Sequence, residues 1–181
     1  MKKIIYSPGE PSGIGPDLII KLSSSNLWED LKIPIVSIGD PKLFIDRAAV
    51  LKKKIQIVEL ESLNEVSKNT RGLLQIIKVT KCSNTRPGKL YKSNAQYVLN
   101  NLTYSIEQTM QNEETALVTG PLSKENIISI DKLFIGHTEY IKKITKSKDV
   151  LMMLASDQLR VALATTHIPV SYTHLTLPTS R

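Results

Sequence analysis

Cysteine is nearly absent from this chain: Cys82 stands alone among 181 residues. An intrachain disulfide and a CxxC metal knuckle are therefore excluded, which fits a reducing compartment. Aromatic residues are scarce, at 5%, so stacking platforms for single-stranded nucleic acid are not evident. Arginine, the residue suited to bidentate phosphate and base recognition, numbers 5 against 19 lysines. The lysines are scattered apart from Lys52-Lys53-Lys54. The net charge of +7 thus reads as a mild positive field for an anionic small substrate. No apolar run approaches the ~18 residues of a membrane span. Ile4-Ile5-Tyr6 behind Met1-Lys2-Lys3 stops at Ser7-Pro8, too soon for a signal-peptide core. The expectation is a cytoplasmic protein with neither nucleic acid nor membrane as partner, long enough for one domain with a real core.

What is present alternates between strand and helix patterns. Lys3 to Tyr6 reads as a first strand, entering the loop Ser7-Pro8-Gly9-Glu10-Pro11-Ser12-Gly13-Ile14-Gly15. Pro16 suits the first turn of a helix reaching about Ser24. Ile33 to Ile38 and Ile55 to Leu60 read as strands, with a helix from Asp40-Pro41 to about Leu51 between them. Residues 61–74 look like loop, and Gln75 to Val79 like a short strand. Thr85-Arg86-Pro87-Gly88 has turn chemistry. Ser93 with Gln96 forms a capping box for the clearest helix. Its face is Ala95, Val98, Leu99, Leu102, Ile106 and Met110. Thr115 to Thr119 reads as a buried strand, and helices follow Ser123 and Thr138. Val150 to Ala155 and Leu159 to Ala164 are split by Ser156-Asp157-Gln158, which predicts a hairpin. The fold class is α/β, a mixed-sheet α/β/α arrangement.

Four segments carry candidate chemistry. Gly9, Gly13 and Gly15 give G-x-x-x-G-x-G, which is not the dinucleotide spacing G-x-G-x-x-G. Gly15 meets Pro16-Asp17 where a P-loop would need Gly-Lys-Ser/Thr. This loop is a tight turn into a helix, or a set of helix-start amides facing an anion. Gly120-Pro121-Leu122-Ser123-Lys124 ends the Thr115 strand, with Lys124 near a phosphate or in solvent. Gly136-His137-Thr138-Glu139 places Thr138 as an N-cap and His137 beside free amides that suit an anionic substrate. Finally the apolar run before Ala164-Thr165-Thr166-His167-Ile168-Pro169 sets His167 at a strand's carboxyl end. Ligands bind there in α/β proteins. His167 is a candidate metal ligand or acid/base, or a histidine bonding a neighbouring loop.

In their order these motifs, with Pro87-Gly88-Lys89-Leu90, resemble the 4-hydroxythreonine-4-phosphate dehydrogenase family of vitamin B6 synthesis, from about residue 3 to residue 169. The resemblance implies a two-domain fold like isocitrate and isopropylmalate dehydrogenases, divided near residue 130. It implies a homodimer with its site in the interdomain cleft. The implied reaction oxidises the secondary alcohol of a phosphorylated hydroxy amino acid with NAD (or NADP), with a divalent metal (Zn, Mg or Co), followed by loss of carbon dioxide. By motif match His137 and Thr138 correspond to substrate-binding residues and His167 to a metal ligand. The family's other two histidine ligands and much of its cofactor site lie downstream of this segment, so no cofactor-binding or catalytic residue is assigned. Residues 1–169 then correspond to about half a subunit, incomplete in its fold and inactive by itself. A sister enzyme acting on a phosphorylated sugar acid of the 4-phospho-threonate type is an alternative that keeps the same residues. A non-catalytic phosphate-binding module is another.

Residues 170–181, Val-Ser-Tyr-Thr-His-Leu-Thr-Leu-Pro-Thr-Ser-Arg, resemble the translation of a transposase-type sequencing adapter. The match covers Val170 to Thr179. The expectation is a non-native tail, to be set apart from fold reasoning, with His174 carrying no role. A chain of genuine 181-residue length, structural or interacting in role, requires that tail to be native.

Overall fold

The computed structural model describes residues 2–163. Its centre is a parallel sheet of β1 (Lys3–Ser7), β2 (Ile35–Ile38), β3 (Gln56–Leu60), β4 (Leu73–Ile77) and β5 (Thr115–Thr119), in the order β3-β4-β2-β1-β5. The near-continuous apolar character of β1 and β2 follows from burial on both faces. Ile4 aligns with Ile35 and also with Ala116, placing β1 between β2 and β5. Tyr6, Ile35, Leu74 and Ile76 pack with residues of α1 (Gly15–Ser23), α2 (Leu27–Asp30) and α3 (Pro41–Val50). Ile5, Val36, Ile38 and Ile77 form a second cluster with Leu60, Leu63 and Val66.

Chain direction across the sheet positions the site. From β1 the chain moves outward through β2 to β3, then returns to β4. The long α4 (Ala95–Gln111) next carries it to β5, on the other side of β1. Such a reversal leaves a crevice beyond the carboxyl ends of the strands. After β5 come α5 (Lys124–Ile128), α6 (His137–Thr145) and the hairpin β6 (Met152–Ala155) and β7 (Arg160–Leu163). The antiparallel pair is present as expected, but as a separate two-stranded sheet rather than a strand of the main one.

Several boundaries differ from the sequence reading, each for a local reason. β4 begins at Leu73, inside the segment read as loop. Gln75 is buried because it exchanges hydrogen bonds with Ser67: its Oε1 accepts from the Ser67 amide (2.8 Å) and its Nε2 donates to the Ser67 carbonyl (2.9 Å). The Ser93–Gln96 capping box does not form. Residues Lys92–Asn94 are already a 3-10 turn running into α4, and Gln96 donates to Asn100 instead. Met110 is 55% exposed at the far end of α4. β5 is half exposed rather than buried: Ala116 and Val118, which share one face of the strand, are exposed, and the alternate residues are half-buried. Ser123 does cap α5, accepting from the Asn126 amide.

Candidate functional site

Four connections meet beyond the carboxyl ends of the sheet: residues 8–14 after β1, 39–40 after β2, 78–94 after β4 and 120–123 after β5. They are held by backbone contact so close that only glycine fits at two points. A Cβ on Gly9, whose φ is +77°, would overlap the Pro121 carbonyl, and one on Gly120 would overlap the Pro8 carbonyl. The Glu10 amide donates to Pro121 O (3.0 Å) and the Gly120 amide to Ser7 O (2.7 Å). These glycines serve loop-to-loop packing, which favours the tight-turn reading of the G-x-x-x-G-x-G segment.

Beneath the loops lies a buried polar network. Arg47 of α3, 3% exposed, donates to the carbonyls of Pro11 (2.7 Å) and Gly13 (3.0 Å) and to Asp17 Oδ1 (2.6 Å). Asp40 caps α3 through the Lys42 amide (3.1 Å) and accepts from the Cys82 amide (2.9 Å). Its own amide donates to the Tyr97 hydroxyl (3.1 Å). Burial, then the carboxylates of Asp40 and Glu10, push the Cys82 thiol up to about 12. Cys82 is thus a protonated packing residue at neutral pH, not a nucleophile. Burial raises the Tyr97 phenol as well.

The polar network continues to α5. Glu10, 4% exposed, accepts from the Ser12 amide (3.1 Å) and from Asn126 Nδ2 (3.2 Å). Asn126 Nδ2 also donates to the Tyr91 carbonyl (3.0 Å). Sequence reading passed over Glu10, Asn126 and Arg47. Glu10 sits inside the quoted glycine loop, but its partner lies 116 residues away, and no short-range pattern marks such a pair.

His137 and Thr138 open α6, and Lys124 lies beside them. A Cβ on Gly136 would sit 3.7 Å from Lys124 Nζ and 3.2 Å from Glu139 Oε2. Gly136 is the N-cap, with extended backbone, and makes no side-chain cap bond. The sequence reading of Thr138 as N-cap is therefore corrected: the helix starts two residues earlier than that requires, and Thr138 lies in its first turn. Burial, and second the Lys124 ammonium, lower the His137 pKa below its ordinary 6.5. A neutral imidazole, first-turn amides and an ammonium side by side suit an anion. Among the described residues no group of three or more His, Cys, Asp or Glu could hold a metal ion. His167, the expected metal ligand, and the 170–181 tail lie outside the described residues. No helix among the described residues is long and apolar enough to cross a membrane.

Comparison with known proteins agrees with this arrangement. The family model described as "Pyridoxal phosphate biosynthetic protein PdxA" matches residues 30–180. A 4-hydroxythreonine-4-phosphate dehydrogenase of Citrobacter koseri is 35% identical over 170 residues, covering 94% of this chain and 50% of that protein. One from Yersinia pestis is 38% identical over 168 residues, covering 93% and 50%. The chain thus spans about half the length of the curated relatives it matches. Among solved structures, a putative 4-hydroxythreonine-4-phosphate dehydrogenase from Salmonella typhimurium superposes with a TM-score of 0.84 at 24% identity, covering 94% of this chain and 53% of its own. The Klebsiella pneumoniae enzyme gives 0.83 at 25%, covering 94% and 51%. The chain belongs to the PdxA family of pyridoxal phosphate biosynthetic proteins.

Proposed function

We propose that this chain is the amino-terminal half of a dehydrogenase subunit that oxidises 4-phosphooxy-threonine with NAD and then decarboxylates the product, in vitamin B6 synthesis. NADP is the alternative nicotinamide cofactor. The reading is supported above all by His137 and Thr138 in the first turn of α6 with Lys124 alongside. There the anionic substrate is held. Lys124 offsets its negative charge, and the first-turn amides and the Thr138 hydroxyl donate to it. His137, kept neutral by burial and Lys124, donates or accepts one hydrogen bond without adding a second cation. The loop leading to Lys124 is packed against the loop after β1 through Gly9 and Gly120.

The divalent metal is assigned only one ligand in this chain, His167, and the described residues do not form its site. The remaining ligands and much of the cofactor site belong to the part of a family subunit beyond this half; the full-length enzyme is a homodimer, and the division between its domains lies near residue 130. Residues 170–181 are read as a non-native tail. The reading is tested by joining residues 1–169 to the second half of the Citrobacter relative. NAD reduction with 4-phosphooxy-threonine, lost in His137→Ala, is expected. Turnover only with a 4-phospho-threonate would transfer the chain to the sister activity. The chain by itself should reduce no NAD, and turnover without the second half would overturn that claim.

A further inference from the structure

We propose that Glu10 is a positioning residue for the candidate substrate site, tying three segments together so that Lys124 stands over the start of α6. The proposal rests on the reading above that an anionic group binds there. Glu10 meets each segment within one network. Its carboxylate closes the loop after β1 through the Ser12 amide (3.1 Å) and reaches α5 through Asn126 (3.2 Å). Asn126 spends its second amide hydrogen on Tyr91 O (3.0 Å), in the segment leading to α4. That segment is joined back to the first loop where the Gly88 amide donates to Ser12 O (2.9 Å).

The chemistry explains why a carboxylate stands there. Asn126 points a donor at Glu10, and so does the Ser12 amide, so the centre of the network must accept only. A carboxylate presents acceptors on both oxygens, whereas glutamine presents one acceptor and one donor. Glu10 and Asn126 are each 4% exposed, so a mismatched donor there finds little water to replace the lost partner. Asn126 lies two residues after Lys124 on a helix of five residues. Releasing its side chain frees the first turn of α5, and Lys124 with it. Neither Glu10 nor Asn126 touches the bound anion in this scheme. Their effect passes through Lys124.

The test uses this chain with inorganic phosphate, followed through the imidazole resonances of His137, which are identified by their loss in His137→Gln. Two quantities are read: the phosphate affinity, and the His137 pKa without phosphate. Glu10→Gln is expected to weaken phosphate roughly tenfold, the scale of one lost charge-assisted hydrogen bond. It should also move the His137 pKa upward, as Lys124→Met does, because the ammonium no longer stands beside the imidazole. Combining Glu10→Gln with Lys124→Met should add little to either single change. A general loosening of the fold would add to Lys124→Met instead, and that result overturns the proposal. Unchanged affinity and unchanged His137 pKa in Glu10→Gln overturn it too. If Glu10→Gln loses its cooperative melt, Asn126→Ala takes its place with the same expectations. Failure of the unaltered chain to bind phosphate counts against the substrate-site reading. In that case the His137 pKa still decides the role of Glu10 on its own.

Discussion

A backbone carbonyl standing where a side chain would begin leaves room for glycine alone. Gly120 faces the Pro8 carbonyl in this way, and neither loop can retreat without breaking the Gly120–Ser7 hydrogen bond. Gly120→Ala should cost about 3 kcal/mol through overpacking, read as a lower urea midpoint at unchanged slope. His137 makes a prediction of a different kind. Its folded pKa lies below the ordinary 6.5, so the unfolded chain binds its proton more readily. Stability from this residue is present above 6.5 and is lost as pH falls through that value toward the lowered one. Lys124→Met removes the lesser of the two causes, burial being the larger. The His137 pKa should therefore move part of the way back, measured by titrating the imidazole resonances. Thr138 shows how a good local reading misses by two residues. Threonine favours N-caps, but the extended Gly136 already occupies that position.

At the scale of elements, most of the β and α pattern was legible because the buried faces repeat at their own periods. α4 is the clearest case, with Val98, Leu99, Leu102 and Ile106 all buried. β4 was displaced because Gln75 looks polar in one dimension while its amide is fully matched by Ser67 in three. Gln75→Ala should leave the Ser67 amide and carbonyl without these partners and cost roughly 2–3 kcal/mol. The comparison is with Gln96→Ala, where the lost bond is exposed and the change should fall within about 0.5 kcal/mol. Chemical denaturation of the two variants decides the matter. A Gln75→Ala loss no greater than that of Gln96→Ala would mean the Ser67 pairing does not hold β4.

At the scale of the molecule, apolar surface is distributed unevenly. Leu154 is 62% exposed and Val161 41% exposed on the hairpin, and Val118 is 45% exposed on the edge strand β5. Buried strand chemistry left open in this way agrees with a chain spanning about half the length of its relatives. Sequencing the source gene across codons 165–181 is expected to show the frame continuing past Pro169 into further coding sequence with two more histidines. Genomic DNA that encodes Val170 to Arg181 and then stops would remove the dehydrogenase reading for this protein. A binding role would take its place.

The alternation of strands and helices, the glycine turns and the family-bearing motifs around His137 and Thr138 are readable along the chain. Each is written in neighbouring residues, through side-chain period, turn chemistry or spacing. Tertiary structure alone decided the β3-β4-β2-β1-β5 order, the pairing of Glu10 with Asn126, the grip of Arg47 on the first loop and the approach of Lys124 to Gly136. These join groups far apart in the chain. They follow from matching donors to acceptors in a buried space, and that matching is defined only once the strands have taken their places.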